Sequence, residues 1–211
     1  MHTPHTFPAP LKRLVVIDLE TSGLDPQAFG ILQIGAMPLD PDSAEKFERH
    51  VRHEWWMPWE EGAAKVHGIT RAEASDQRRY TDTVAIDELL DWLEDKALGD
   101  LGGRAIIAGV SPRFDRDFLR AVAEGGDMVD RFDRLISHRT FDLHTLAAAV
   151  FAITAEAAVG GLRNGLDGLY TDAIYDILGV GPEDKPHVAL EGARRERLAI
   201  LDLLHLMQDG L

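Results

Sequence analysis

The sequence contains no cysteine. That excludes disulfide staples, thiolate zinc sites and a cysteine nucleophile. Any metal must be held by carboxylates or histidines. Long apolar runs are also missing. The longest, Leu146 to Ile153, is alanine-rich and too short to span a bilayer. The opening residues, Met1 to Arg13, are polar and carry three prolines, unlike the apolar stretch of a signal peptide. A cytoplasmic protein with no membrane partner is therefore expected. Basic residues are scarce, with 22 Lys and Arg against 36 Asp and Glu, for a net charge of -14. Phosphate contact normally uses a basic face, so this balance argues against nucleic-acid or anionic-membrane binding by bulk electrostatics.

What is present suits one compact domain. The 211 residues are 45% hydrophobic, enough for a sizeable core. We read a single domain over residues 1–211 with its core at about 13–207, and no internal repeat. Arg13 to Leu19 (RLVVIDL) and Arg104 to Val110 (RAIIAGV) are short β-branched runs that read as buried strands. Ile31 to Leu39 is another strand, and Phe47 to Arg52 an edge strand. Val84 to Ala97 repeats apolar residues at helical spacing, with Asp82 placed to cap it. Phe114, Phe118, Leu119 and Val122 mark a further helix. Leu143 to Ile153 and Leu169 to Leu178 read as two more. The last helix is expected from Pro186 to Met207, with Leu190, Ala193, Ile200, Leu204 and Met207 on its stripe and Asp184 as cap. Gly160 to Gly168 is the most linker-like stretch. Early strands and a helical second half give an α/β domain.

One motif carries chemistry on its own terms. In Val16-Ile17-Asp18-Leu19-Glu20-Thr21-Ser22-Gly23-Leu24-Asp25-Pro26, Asp18 and Glu20 stand at i and i+2 on a strand, so both point to one face. Paired carboxylates repel unless a cation holds them, and hard divalent ions take oxygen ligands.

Asp-x-Glu-Thr-x-Gly-Leu after an apolar strand resembles the first exonuclease motif of the DnaQ-like (DEDD, histidine-type) 3′-5′ exonucleases. The resemblance implies a ribonuclease H-like fold, a mixed, mostly five-stranded sheet flanked by helices. It also implies two Mg²⁺ or Mn²⁺ ions and two-metal phosphodiester hydrolysis. Val66-His67-Gly68-Ile69-Thr70 resembles the His-Gly-Ile-Thr segment of many relatives. Ala108 to Leu119 is similar to the second motif, with Asp115 as the third metal-linked acid. Val110-Ser111 stands where relatives often have His-Asn or Gly-Asn. Phe141-Asp142-Leu143 resembles the opening of the following helix, with Asp142 as a cap.

The third motif is broken. The family pattern is His followed five residues later by Asp, and here His187 is followed by Gly192. By resemblance, Asp18, Glu20 and Asp115 hold metal and His187 is the general base. Thr21, Leu24, His67, Ser111 and Phe114 contact substrate, Leu24 against the terminal base. Glu191 is the candidate to compensate for the missing acid, although it lies roughly 100° around a helix from position 192. Restoring Asp at 192 is expected to raise activity and metal affinity. Gly192 weakens one of the two ion sites. The substrate implied is a single-stranded DNA or RNA 3′ end, and a homodimer or a polymerase or repair partner is left open. The competing reading is a module of the same fold that has lost catalysis and binds ends or a protein. The cluster Trp55, Trp56, Met57, Pro58, Trp59 reads as packing an edge loop onto the core in preference to stacking bases.

Overall fold

The computed structural model describes residues 7–153, 170–181 and 186–209. A five-stranded mixed sheet forms the middle layer. Its strands are β1 (Leu14–Thr21), β2 (Ile31–Pro38), β3 (Phe47–His50), β4 (Ala105–Gly109) and β5 (Ile136–Asp142), in the order β3-β2-β1-β4-β5. β1, β2 and β3 run antiparallel in turn, while β4 and β5 are parallel to β1 and β4. Central β1 is covered on both sides, which is why Leu14-Val15-Val16-Ile17 is apolar without alternation. Val15, Ile17 and Leu19 enter one core cluster, with the helices α3 (Asp82–Trp92), α4 (Pro112–Gly125) and α5 (Val129–Leu135). Leu14 and Val16 enter the other, with α6 (Leu143–Ile153), α7 (Thr171–Leu178) and α8 (Ala189–Asp209). Two short helices, α1 (Glu61–His67) and α2 (Arg71–Ala74), precede α3.

Several boundaries differ from expectation for identifiable reasons. β1 continues through Thr21, so Asp18 and Glu20 lie within a strand and continue the Leu14/Val16 face. β3 stops at His50, and Val51 makes a single bridge to Tyr80. β5 (ISHRTFD) has no apolar signature because it is an edge strand whose middle faces out. Thr81, not Asp82, caps α3 by accepting the Val84 amide. α8 starts at Ala189, beyond Pro186. Trp55 and Trp56 are exposed at 80% and 62%, so of the three loop tryptophans only Trp59 packs inward, edge-on to His53 and His67. The acids of α3 and of the turn that follows it are gathered by Arg131 of α5, which reaches Asp87, Asp91 and Glu94. The Gly160 to Gly168 stretch, Leu169 and Asp184 lie outside the described residues.

α8 lies unusually close to the sheet. A Cβ at Gly35 of β2 would overlap the backbone of Ala189 and Leu190. Gln33, two residues earlier, accepts the Ala189 amide at 3.2 Å and so fixes where the helix begins. Gly35→Ala is expected to lose about 1–3 kcal/mol by forcing helix and sheet apart. Gly62→Ala, where a Cβ meets nothing within 4 Å, should stay within about 0.5 kcal/mol of the parent. Urea unfolding of the two variants checks the difference.

Candidate active site

The turn after β1 is closed at its base. The Ser22 amide donates to the Gly30 carbonyl at 2.9 Å, and Ser22 Oγ accepts the Gly30 amide at 3.0 Å. Thr21 Oγ1 donates to the Gly23 carbonyl at 2.7 Å, and the Phe29 ring lies where a Gly23 side chain would go. The Asp25 carbonyl takes the Ala28 and Phe29 amides. With its interior filled in this way, the turn holds Leu24 out at 74% exposure. Thr21 itself is buried, and its hydroxyl is engaged within the turn.

α4 brings the third acid. Ser111 takes the left-handed conformation (φ 52°), in which Asn is more at ease than Ser, and its exposed side chain makes no capping bond. Pro112 then starts the helix, and Asp115 falls in its first turn, 4% exposed. Burial pushes the Asp115 carboxyl well above the usual range, and the charges of Asp18 and then Glu20 push it the same way. The amides of Asp115 itself and of Leu19 oppose this. Phe114 is half-buried against the first core cluster and packs on Phe118 at 4.8 Å between ring centroids.

α8 supplies the remaining side of the site. The Asp18 carboxylate rests where a Gly192 Cβ would be. Position 192 therefore faces the first motif, as the family pattern requires, but the carboxylate of β1 occupies the space of its missing side chain. Glu191, the candidate to compensate, is engaged on its own helix. It turns away and pairs with Arg194, at 2.9 Å to Nε and 2.7 Å to Nη2, which holds its carboxyl below the ordinary range. The acid that does face inward is Glu196, one turn beyond Gly192 and 6% exposed. Its carboxylate occupies the space of a missing Cβ at Gly109, next to the Ile17 carbonyl. Gly109 has φ +147°, which only glycine adopts readily. Glu196 escaped the sequence reading because it sits in the charged run Arg194-Arg195-Glu196-Arg197. The signal was its register: it fills the gap between Ala193 and Ile200 on the apolar stripe.

The two histidines of the motifs lie near each other. His187 is half-buried, and its amide donates to the Val66 carbonyl at 3.4 Å, which ties the start of the last helical segment to α1. His67 is buried, and its Nδ1 accepts the Ile69 amide at 3.0 Å. Burial lowers its pKa, and the nearby His187 lowers it further against the Thr21 carbonyl. His67 is thus enclosed beside the first-motif turn and is only 2% exposed. Gly68 caps α1 in the left-handed conformation, and Thr70 with Glu73 forms a capping box on α2. Among the described residues, no three His, Asp or Glu side chains converge closely enough to hold an ion as they stand.

A family model described as RNase_T, Exonuclease, matches residues 15–191. The chain belongs to this exonuclease family. Solved structures agree on the fold. Escherichia coli exonuclease I in complex with a dT13 oligonucleotide superposes with a TM-score of 0.72 at 18% identity, over 93% of this chain and 41% of that one. Exonuclease I of Methylocaldum szegediense gives 0.72 at 19% identity, again over 93% and 41%. The zinc-bound form of the E. coli exonuclease I–ssDNA complex gives 0.70 at 18%, over 93% and 41%. The chain thus spans about two fifths of the length of these structures and has their ribonuclease H-like fold. No curated protein matches it by sequence. Within the described residues of this exonuclease-family chain, no helix is long and apolar enough to cross a membrane.

The raised Asp115 pKa gives a signed expectation for this exonuclease fold. As pH rises above about 4, the unfolded chain's Asp ionises while the folded one resists, so the folded state loses stability until the folded pKa is passed. Asp115→Asn should therefore raise Tm at neutral pH in the presence of a chelator. The gain should shrink as pH falls towards the ordinary Asp range. Thermal unfolding of both proteins from pH 4 to 8 measures it.

Proposed function

We propose that the chain is a metal-dependent 3′-5′ exonuclease acting on single-stranded ends. The carrying observation is the burial of Asp115 beside Asp18 and Glu20, three carboxylates drawn from β1 and α4 in a family of exonucleases. The donor chemistry fits Mg²⁺ or Mn²⁺, since all three are hard oxygen donors whose mutual repulsion a cation would relieve. Asp18, Glu20 and Asp115 would hold the ions, and Glu196 is the acid we assign to the place left by Gly192. When bound, the metal supplies charge to activate water and to stabilise the leaving 3′ oxygen.

The protein's own groups do the rest. His187 takes the proton from the attacking water, a task suited to imidazole near neutral pH. Leu24, held out by its closed turn, packs against the terminal base. Ser111 and Phe114, at the start of α4, border the strand's path. The exonuclease I complexes with single-stranded oligonucleotides make DNA the first substrate to try. A second reading has an observation of its own. With the Asp18 carboxylate lying over Gly192, the fold suits an attenuated enzyme or an end-binding module.

The test uses a 5′-labelled single strand with Mg²⁺ or Mn²⁺. A ladder shortening from the 3′ end, lost in Asp18→Ala, is the expected result. End binding without turnover at high enzyme concentration would favour the binding module. Glu196→Gln should weaken Mn²⁺ affinity by about 10–100-fold, read by calorimetry as well as by rate. Glu191→Gln should change neither, because its carboxylate is committed to Arg194. Gly192→Asp alone is not expected to gain activity, since its Cβ would collide with the Asp18 carboxylate. This reverses the expectation from sequence.

A further inference from the structure

Two of the largest exposed apolar side chains in the described residues, Trp55 and Trp56, stand side by side in the loop between β3 and α1. Their rings meet edge to face, with centroids 5.8 Å apart, so the edge contact leaves ring faces uncovered. The loop that carries them is anchored. Arg71 donates to the Trp55 and Met57 carbonyls at 3.3 Å each, and the Met57 amide donates to the Glu54 carbonyl at 3.1 Å. Trp59, four residues on from Trp55, packs inward on His53 and His67. Only the first two tryptophans are left outside, on a frame that is already ordered.

That frame is continuous with the candidate active site. Met57 lies over Gly30, with its sulfur 2.9 Å from where a Gly30 Cβ would be, and the Glu60 amide donates to the Ser22 carbonyl at 2.8 Å. The tryptophan loop is therefore fastened at two points to the turn that presents Leu24. From Glu60, α1 runs to Val66, whose carbonyl accepts the His187 amide. Seven helical residues span roughly 10 Å. α1 thus bridges the anchored tryptophan loop and the segment that carries His187. Lys65 is exposed on α1, and Arg71 has only carbonyl partners among the described contacts. Glu60 and Glu61 are exposed here as well, so the surface is mixed and not a basic groove.

We propose that Trp55 and Trp56 form a stacking platform for bases of a single strand whose 3′ end lies in the active site. The proposal rests on the exonuclease reading above and extends it to nucleotides upstream of the scissile bond. Stacking suits this chain for a physical reason. Every base offers a π-face whatever its identity, and stacking contributes about 1–3 kcal/mol per base without a basic groove. A chain of net charge -14 can then grip a strand at two places, the end and the platform, and leave the intervening phosphates in solvent.

The experiment compares the full-length parent with a Trp55→Ala/Trp56→Ala variant, with Ca²⁺ in place of Mg²⁺ to slow turnover. Binding of 5′-labelled dT12 and of the dinucleotide dT2 is read by anisotropy and by intrinsic tryptophan fluorescence. The expected result is quenching of the parent by dT12 but not dT2, and at least a 10-fold loss of dT12 affinity in the variant. Its dT2 affinity and Tm should be unchanged. Equal dT12 affinity in the two proteins overturns the platform while leaving the exonuclease reading intact. Failure of the parent to bind either strand or the matching RNA strands rU12 and rU2 overturns the exonuclease reading itself. Self-association of the parent that the variant loses, with dT12 affinity unchanged, assigns the surface to a second copy of the chain and also overturns the platform.

Discussion

Helix α8 meets the sheet where side chains are missing. Gly35 has no Cβ, so the backbone of Ala189 can lie directly on β2. Gly192 has none, so the Asp18 carboxylate can fold against the helix, and Gly109 has none, so Glu196 can reach the end of β4. The pairing of Asp18 with Gly35 across β1 and β2 puts the first two of these approaches side by side. The geometry of the site depends on this closeness. It decides that position 192 faces Asp18, that Glu191 does not, and that the next inward acid lies a full turn away. A helix standing a methyl's width further off would permit none of these contacts.

The same seam explains why an acidic chain can be organised around buried carboxylates. Like charges brought out of water are costly, and Asp115 registers that cost in its raised pKa. Other acids are paired at the surface, as with the three gathered by Arg131 or the Glu191–Arg194 pair. Such exposed pairs add little stability. The buried ones are the concentrated charge, and bound divalent ions would invert its sign locally. Net charge is therefore a poor guide to what the chain binds, because in the proposed complex a strand would meet the three acids, Leu24 and two tryptophans rather than the average surface.

Much of this was legible in the residues themselves. The double-sided burial of β1 is written in Leu-Val-Val-Ile, and the shared face of Asp18 and Glu20 follows from their i, i+2 spacing. The turn that holds out Leu24 is encoded by Ser22, Gly23 and Asp25, whose contacts are nearly all local. β5 was not legible, since Ser137, His138, Arg139 and Thr140 read as a polar loop and become a strand only by pairing with β4. Trp55 and Trp56 carry no label that separates them from Trp59. Their exposure follows from which residues Arg71 and Gly30 hold in place.

The sequence alone determined that Asp18 and Glu20 share a face, because strand periodicity fixes it, and its resemblance to the DnaQ-like exonucleases pointed to the family and to Asp115 and His187 as candidates. It also determined that an acid is absent at 192. Only the tertiary structure decided what that absence means. Whether Glu191 or Glu196 faces the sheet depends on how a helix is rotated against strands far away in the chain, and that rotation is set by Gln33, Gly35 and Gly109. No window of neighbouring residues contains that information.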